Sequence, residues 1–372
     1  MCYNCGIMKN LFAPPNLFYL FLIIGTFVVS FALCPLLIEL CKKLKLYDDV
    51  DPRKMHTGNV SRLGGGAIFI SFIIAMVLVA IFTPKSYPVK SYIPVFAGGM
   101  IIFLLGISDD FIHLRAKFKF LIQICAAILA TFSPCCLTSI FGLQLPVFIS
   151  KFFTFFWILL LVNAYNLIDG IDLLCGGISF TTFAAIAFVQ FYIGNAGFGF
   201  VAIILCAAII GFLFWNKPTA KIFLGDGGSL TLGYFVAVLP LFPSDNPSYE
   251  FNKFIFCLLI ASLPTIDVIA SIIRRTRERR SIFSPDRAHL HHKLINIGFS
   301  KIIATLFLNG MQILICLIIC FGVTADEHDH YMFVLIITYC FVIIFFSAIH
   351  YINRAINRKF KGKLAENAQK EY

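Results

Sequence analysis

The chain is 372 residues long, 59% of them hydrophobic and only 13% charged, with a formal net charge of +11. Soluble domains run at about 45–50% apolar and about 25% charged residues, so an ordinary water-soluble protein is excluded and the chain is expected to live in a bilayer. The positive balance is explained by membrane orientation and by attraction to anionic lipid, so no nucleic-acid partner is called for.

A helix needs about 20 mostly apolar residues to cross the hydrocarbon, within a range of about 17–25. By that measure spans are expected near residues 17–40, 65–83, 93–108, 118–134, 152–166, 176–194, 197–215, 228–243, 254–273, 302–323 and 331–352. The expected fold is therefore an all-α integral membrane protein, a polytopic bundle of about eleven transmembrane helices. It forms one membrane domain over residues 1–372, closed by a basic cytoplasmic tail at 353–372. The first apolar run is longer than the about 7–15 residues of a signal-peptide core and ends in Lys42, Lys43 and Lys45, so it is expected to stay as a span. Cysteines scatter through the apolar runs, and Cys2 and Cys5 form a lone C-x-x-C, far short of a four-ligand metal pattern.

Basic residues fall on alternate loops. Lys42 to Arg62 follow the first span, Arg115, Lys117 and Lys119 the third, Lys217 and Lys221 the seventh, and Arg274 to Lys301 the ninth. The intervening loops hold only Lys9, Lys85, Lys90, Lys151 and Lys253. The positive-inside bias then predicts a multi-pass inner (plasma) membrane protein with its N-terminus outside and its C-terminus cytoplasmic.

Five polar clusters interrupt the apolar sequence, all on the side assigned to the cytoplasm, and together they outline a cytoplasmic-side cleft. The first, "DPRKMHTGNVSRLGGG", contributes Lys54, His56 and Arg62 as cleft candidates. In "SDDFIHLRAKFK", Asp109 and Asp110 precede Lys117 and Lys119. The bland reading is a solvated turn; the chemical one is a base or anchor beside cations that hold phosphate oxygens. "NAYNLIDGID" spaces Asn163, Asn166, Asp169 and Asp172 by three, near one helix face. Helix capping explains one such residue, but polar side chains at membrane depth are costly and usually mark a functional path. "KIFLGDGGS" sets Asp226 among glycines at a helix start, a good place for a Mg²⁺ ligand, although neither a Walker loop nor a dinucleotide fingerprint. "PDRAHLHHK" concentrates Arg287, His289, His291 and His292. Three histidines suit zinc, but the surrounding arginines and Lys293 favour an anion.

The series "DPRKMH…RLGG", "DDFIHLR", "NAYNLIDGIDLL", "FLGDGGS", "PTIDVIASIIRR" and "PDRAHLHHKL" resembles, in this order and over nearly the whole chain, the polyprenyl-phosphate N-acetylhexosamine-1-phosphate transferases. These belong to glycosyltransferase family 4, and "HLHH" looks like the WecA/TagO branch, related to MraY, which tends to run three consecutive histidines. One departure is Val60-Ser61 before Arg62, where relatives often carry Pro. The resemblance implies that a polyprenyl (undecaprenyl) phosphate attacks the β-phosphorus of a UDP-N-acetylhexosamine, most often UDP-GlcNAc in this branch. The products are a polyprenyl-pyrophosphoryl-sugar and UMP, the first step of a cell-surface glycan pathway such as O-antigen or teichoic acid synthesis.

It implies Mg²⁺ as cofactor, with Mn²⁺ as a substitute, held by Asp226 and Asn166. Phe223 stacks on uracil, and Leu167 (through its backbone), Asp169 and Asp172 line the nucleotide pocket. Lys119, Arg287, His289, His291 and His292 hold phosphates, and Asp109 and Asp110 position or deprotonate the lipid phosphate. Asn163 and Lys117 are further cleft candidates, and a homodimer is left open. A competing reading is a secondary transporter of a phosphorylated solute, with the same Asn and Asp side chains lining a path. Another membrane phosphotransferase, of the CDP-alcohol kind, would need an acidic motif of its own that the sequence does not show.

Overall fold

The computed structural model describes residues 14–44, 60–83, 89–281, 289–324 and 328–370. They form a helical bundle: α1 (Pro14–Leu44), α2 (Gly64–Phe82), α3 (Val89–Ile112), α4 (Ala116–Ala130), α5 (Val147–Ile168), α6 (Leu174–Tyr192), α7 (Ala196–Asn216), α8 (Gly225–Val238), α9 (Pro247–Ile260), α10 (Ser262–Arg277), α11 (Leu290–Ile297), α12 (Lys301–Thr324) and α13 (His328–Lys370). Between α4 and α5 two short antiparallel strands, β1 (Ser139–Ile140) and β2 (Leu143–Gln144), close a hairpin through Phe141 and Gly142. Both turn residues have positive φ, as a two-residue hairpin turn demands.

Every expected span meets a helix, but not all are long enough to cross. Eight described helices have the length and apolarity of a membrane span, and α9 with α10, bent by 65°, makes a ninth if the pair counts as one. The expected spans at 118–134 and 228–243 correspond to α4 and α8, of only 15 and 14 residues. At about 1.5 Å per residue each is close to 21–23 Å long, short of the about 30 Å of a hydrocarbon core. Helix α8 is apolar for another reason: every residue from Gly227 to Val238 is buried in protein. It packs against α2, α3, α5 and α6, so its greasy composition reflects a protein core rather than lipid contact. The basic tail expected from residue 353 continues as helix α13 to Lys370.

At one end of α8 the glycine-rich stretches of two polar clusters meet. Ser61 pairs with Ile222 as a parallel bridge, Phe223 N donates to Ser61 O (2.7 Å), and Gly64 N and Gly65 N donate to Phe223 O and Leu224 O (2.9 and 2.8 Å). A Cβ on Gly65 would strike the backbone of Gly228, so the close approach requires glycine there. Gly225, with φ +74°, starts α8 in the left-handed region, and a side chain there would run into Arg62 O and the Asp110 carboxylate.

Candidate active site

The N-terminus of α8 gathers polar residues of three clusters. Asp109 and Asp110 end α3, Asn166 lies in the last turn of α5, and Asp226 is in the first turn of α8. Lys119 Nζ, from the first turn of α4, donates to Asp109 Oδ2 (2.8 Å) and Asp226 Oδ2 (3.1 Å). Asn166 Nδ2 donates to Asp226 Oδ1 (3.0 Å) and to Ser229 Oγ (3.1 Å).

The two adjacent aspartates do different work. Asp109 Oδ1 accepts from Leu114 N (2.7 Å), and its other oxygen faces Lys119. Asp110 spends both oxygens on α8, accepting from Asp226 N and Gly227 N (2.9 Å each). The first N–H groups of a helix have no partner within it and carry its positive end, so Asp110 caps α8 from another helix and fixes the backbone that carries Asp226.

The row 163–172 does not stay on one helix face. α5 stops at Ile168, Asp169 has left helical geometry (φ −76°, ψ 55°), and Leu173 is in the left-handed region (φ +65°). Gly-Ile-Asp after Asp169 turns the chain before α6, so the regular spacing misled: only Asn163 and Asn166 share α5. Asn163 is bonded elsewhere, donating to Gln123 Oε1 and Leu159 O (2.8 Å each). Asp172 accepts from Ala220 N (3.3 Å) and, with Phe223, lines a cavity of about 410 Å³ whose far wall is Ser300, Lys301, Ile302 and Thr305. Leu167 lies between Asn166 and Asp169 on the last turn of α5. Burial, helped by the charges of Asp226 and Asp110, pushes the Asp169 carboxyl up to about 8.

Of the histidines, His289 Nδ1 faces Asp267 Oδ2 at 2.8 Å. His291 is 2% exposed, neither ring nitrogen has a partner among the described residues, and the ring lies on the bare Cα of Gly170. Burial, with His292 beside it, pushes the His291 imidazole down to about 3, so it is neutral at physiological pH. The His292 ring is 4.3 Å from that of His291. Lys117 is exposed in the first turn of α4. Lys54, His56 and Arg287 lie outside the described residues. Residues not named as candidates that hold the site are Ser229 and Asp267, which lie within quoted motifs, and Gln123, Asn216, Thr305 and Asn309, which lie outside them. Asn216 Oδ1 accepts from Leu173 N (2.9 Å), Asn309 Nδ2 donates to Leu173 O (3.4 Å) and Thr305 Oγ1 to Asp172 O (3.3 Å), so α7 and α12 hold the left-handed turn. The available signal was a polar side chain inside an apolar helix, which is costly unless it has work to do.

Four carboxylates (Asp109, Asp110, Asp169 and Asp226) thus crowd Lys119 and Arg62. The excess of acidic groups over cations and the hard oxygen donors of Asp226 and Asn166 fit Mg²⁺, which takes one or two carboxylates and leaves its other positions to water and phosphate. Among the described residues no group of three or more His, Cys, Asp and Glu is arranged for a metal, which disfavours an all-protein cage such as zinc prefers. Carboxylates, an ammonium and an amide gathered at one helix end, inside a helical membrane bundle, define a membrane-embedded phosphotransferase.

The comparisons agree. Residues 92–243 match glycosyl transferase family 4. The chain is 31% identical to a probable undecaprenyl-phosphate N-acetylglucosaminyl 1-phosphate transferase of Bacillus subtilis, over 91% of this chain and 94% of that protein. It is 29% identical to the undecaprenyl-phosphate alpha-N-acetylglucosaminyl 1-phosphate transferase of Escherichia coli K12 (85% and 86% covered), and 30% identical to the enzyme so named in Thermotoga maritima (86% and 94%). The chain belongs to glycosyl transferase family 4.

Proposed function

We infer that this protein transfers GlcNAc-1-phosphate to undecaprenyl phosphate in the membrane, with UDP-GlcNAc as donor and UMP as second product. The observation that carries this reading is likeness to N-acetylglucosaminyl 1-phosphate transferases over nine-tenths of the chain, joined to the meeting of Asp109, Lys119, Asn166 and Asp226 at one helix end. The family assignment removes the transporter as a competing account.

Both reactants are anions, so catalysis is chiefly positioning and charge neutralisation. Asp226 and the Asn166 amide would hold Mg²⁺, which supplies charge neutralisation for the diphosphate when bound. Lys119 offers its ammonium to phosphate oxygens while Asp109 keeps it in place. Asp110 acts through the backbone of α8, holding Asp226 at its angle. Phe223 and Asp172 line the cavity that suits the uridine, and Asp169 feels the charges of both Asp172 and the acidic cluster. His289, His291, His292 and Arg287 are the candidates for holding phosphate; the buried His291 ring, its nitrogens unpartnered among the described residues, also packs on Gly170 of the Asp169–Asp172 turn. The reading includes a cleft opening to the cytoplasm, the N-terminus outside and the C-terminus inside, testable by labelling single introduced cysteines from either side of the membrane.

Purified protein in detergent with UDP-GlcNAc, undecaprenyl phosphate and Mg²⁺ should release UMP. EDTA should stop release and added Mg²⁺, or Mn²⁺ in its place, should restore it. No UMP from any UDP-N-acetylhexosamine would overturn the assignment.

A further inference from the structure

Asp267 lies in α10, the second half of the bent pair, and is 2% exposed. A carboxylate so buried has to be compensated, and both of its oxygens are spent at one place. Oδ2 takes the Nδ1 hydrogen of His289 (2.8 Å), and Oδ1 accepts from the backbone N–H of Leu290 (2.8 Å). These two residues are the N-cap and first residue of α11, and the N-cap makes no side-chain cap bond of its own. Asp267 therefore caps α11 from a different helix and, with its second oxygen, grips the ring of the capping residue.

The grip has a chemical consequence. A carboxylate at Nδ1 requires the hydrogen on that nitrogen, so Nε2 is the nitrogen left for another partner, and the ring cannot flip without losing the bond. Ser271, one turn on, lies 3.4 Å from the same Nδ1 and accepts from Arg274 (3.0 Å), which ties the Arg-rich end of α10 into the cluster. The His289 and His291 rings lie nearly parallel, 6.1 Å apart, and the His291 ring rests on Gly170, next to Asp169. A continuous set of contacts thus runs from Asp267 through His289 and α11 to the turn that bears Asp169 and Asp172.

We propose that Asp267 is a positioning residue for phosphate transfer, fixing the orientation and tautomer of the His289 imidazole and seating α11 against the Asp169–Asp172 turn. This rests on the reading of His289 as a phosphate-holding residue. Asp267→Asn keeps the shape and the acceptor for Leu290 N, but its amide can place a hydrogen toward Nδ1 and favour the opposite tautomer.

The test is a cycle of Asp267→Asn, His289→Ala and the double variant, as full-length protein in detergent, with kcat and KM for UDP-GlcNAc from UMP release and folding checked by melting temperature. Expected are a kcat at least tenfold lower for Asp267→Asn with KM changed under threefold, a larger kcat loss for His289→Ala, and a double variant no slower than His289→Ala alone. Wild-type kcat in Asp267→Asn while His289→Ala is impaired would overturn the positioning role, as would losses that multiply in the double variant. A fully active His289→Ala would overturn it by removing the phosphate role on which it stands, with the overall transferase reading untouched. If Asp267→Asn does not fold, Asp267→Glu carries the same cycle, since it keeps the charge but moves it by a methylene.

Discussion

An ion pair lies near each end of helix α8, Lys119 with Asp226 at its start and Lys253 with Glu250 beyond its C-terminal end, and the two clusters differ in what they leave open. At the C-terminal end Lys253, its side chain 2% exposed, pairs with Glu250, donates to Phe242 O (3.2 Å) and lies 5.4 Å over the Tyr249 ring. Glu250 Oε1 also accepts from Ser244 N (2.9 Å), and Ser139 Oγ donates to Glu250 O (2.9 Å), which ties the hairpin to α9. At the N-terminal end both partners, Lys119 and Asp226, are 25% exposed, whereas at the other end only Glu250 is, and acidic groups outnumber cations at the N-terminal end. Burial of a charge is therefore no sign of function by itself. The Lys253 cluster pairs each charge with one of opposite sign; the Lys119 cluster holds more acidic groups than cations.

The sharpest way to break this contrast is Asp226→Ala. It removes the carboxylate best placed for the metal, so UMP release should fall by about 10⁴-fold, within the several kcal/mol that metal and charge stabilisation supply, while the melting temperature changes little. At the other end, Lys253→Met should leave kcat per folded molecule within about twofold yet cost about 1–2 kcal/mol of stability in an SDS titration, because Glu250, a quarter exposed, loses its cation. Lost turnover in Lys253→Met, or lost stability alone in Asp226→Ala, would erase the distinction. Between them falls Asp110→Asn. It still accepts one N–H of α8 but loses charge at the helix start, so kcat should drop by about 10–100-fold with about 1 kcal/mol of stability, a mixed signature that neither end shows alone.

The sequence was most informative where chemistry forced an exception on an apolar background. Asp109, Asn166, Lys119 and Asp226 were legible as a set because ionisable groups at membrane depth are few and costly. What it did not reveal is where hydrophobicity stops meaning a full span: α8 read as one because a helix buried in protein is as apolar as one buried in bilayer, and α4 because its exposed Phe118, Leu121 and Ile128 are apolar on a helix of only 15 residues. Nor did it reveal division of labour within a pair. Asp109 and Asp110 are adjacent and chemically identical, and only the placement of α8 turns the second into a cap. The row at 163–172 failed similarly, since a spacing of three fits a helix and a turn alike until the end at Ile168 is known.

That row supplies the smallest effect and the finest discrimination. Asn163 and Asn166 share α5, one turn apart, and by residue type either suits a ligand site. Asn166 is bonded to Asp226, whereas Asn163 is bonded to Gln123, a side chain 3% exposed on α4. Asn163→Leu should therefore change kcat by less than about threefold and cost about 1–2 kcal/mol, most of it from leaving the Gln123 amide without its partner. Asn163→Leu with Gln123→Leu should recover part of that cost, because an apolar pair at a buried interface leaves no polar group unpaired. Asn166→Leu should instead lower kcat strongly and raise the Mg²⁺ needed for half-maximal UMP release. Were the two single variants to behave alike, the separation of a structural amide from a ligand amide on the same helix would be wrong. The contrast between the two ends of α8 would then need another basis than open valence.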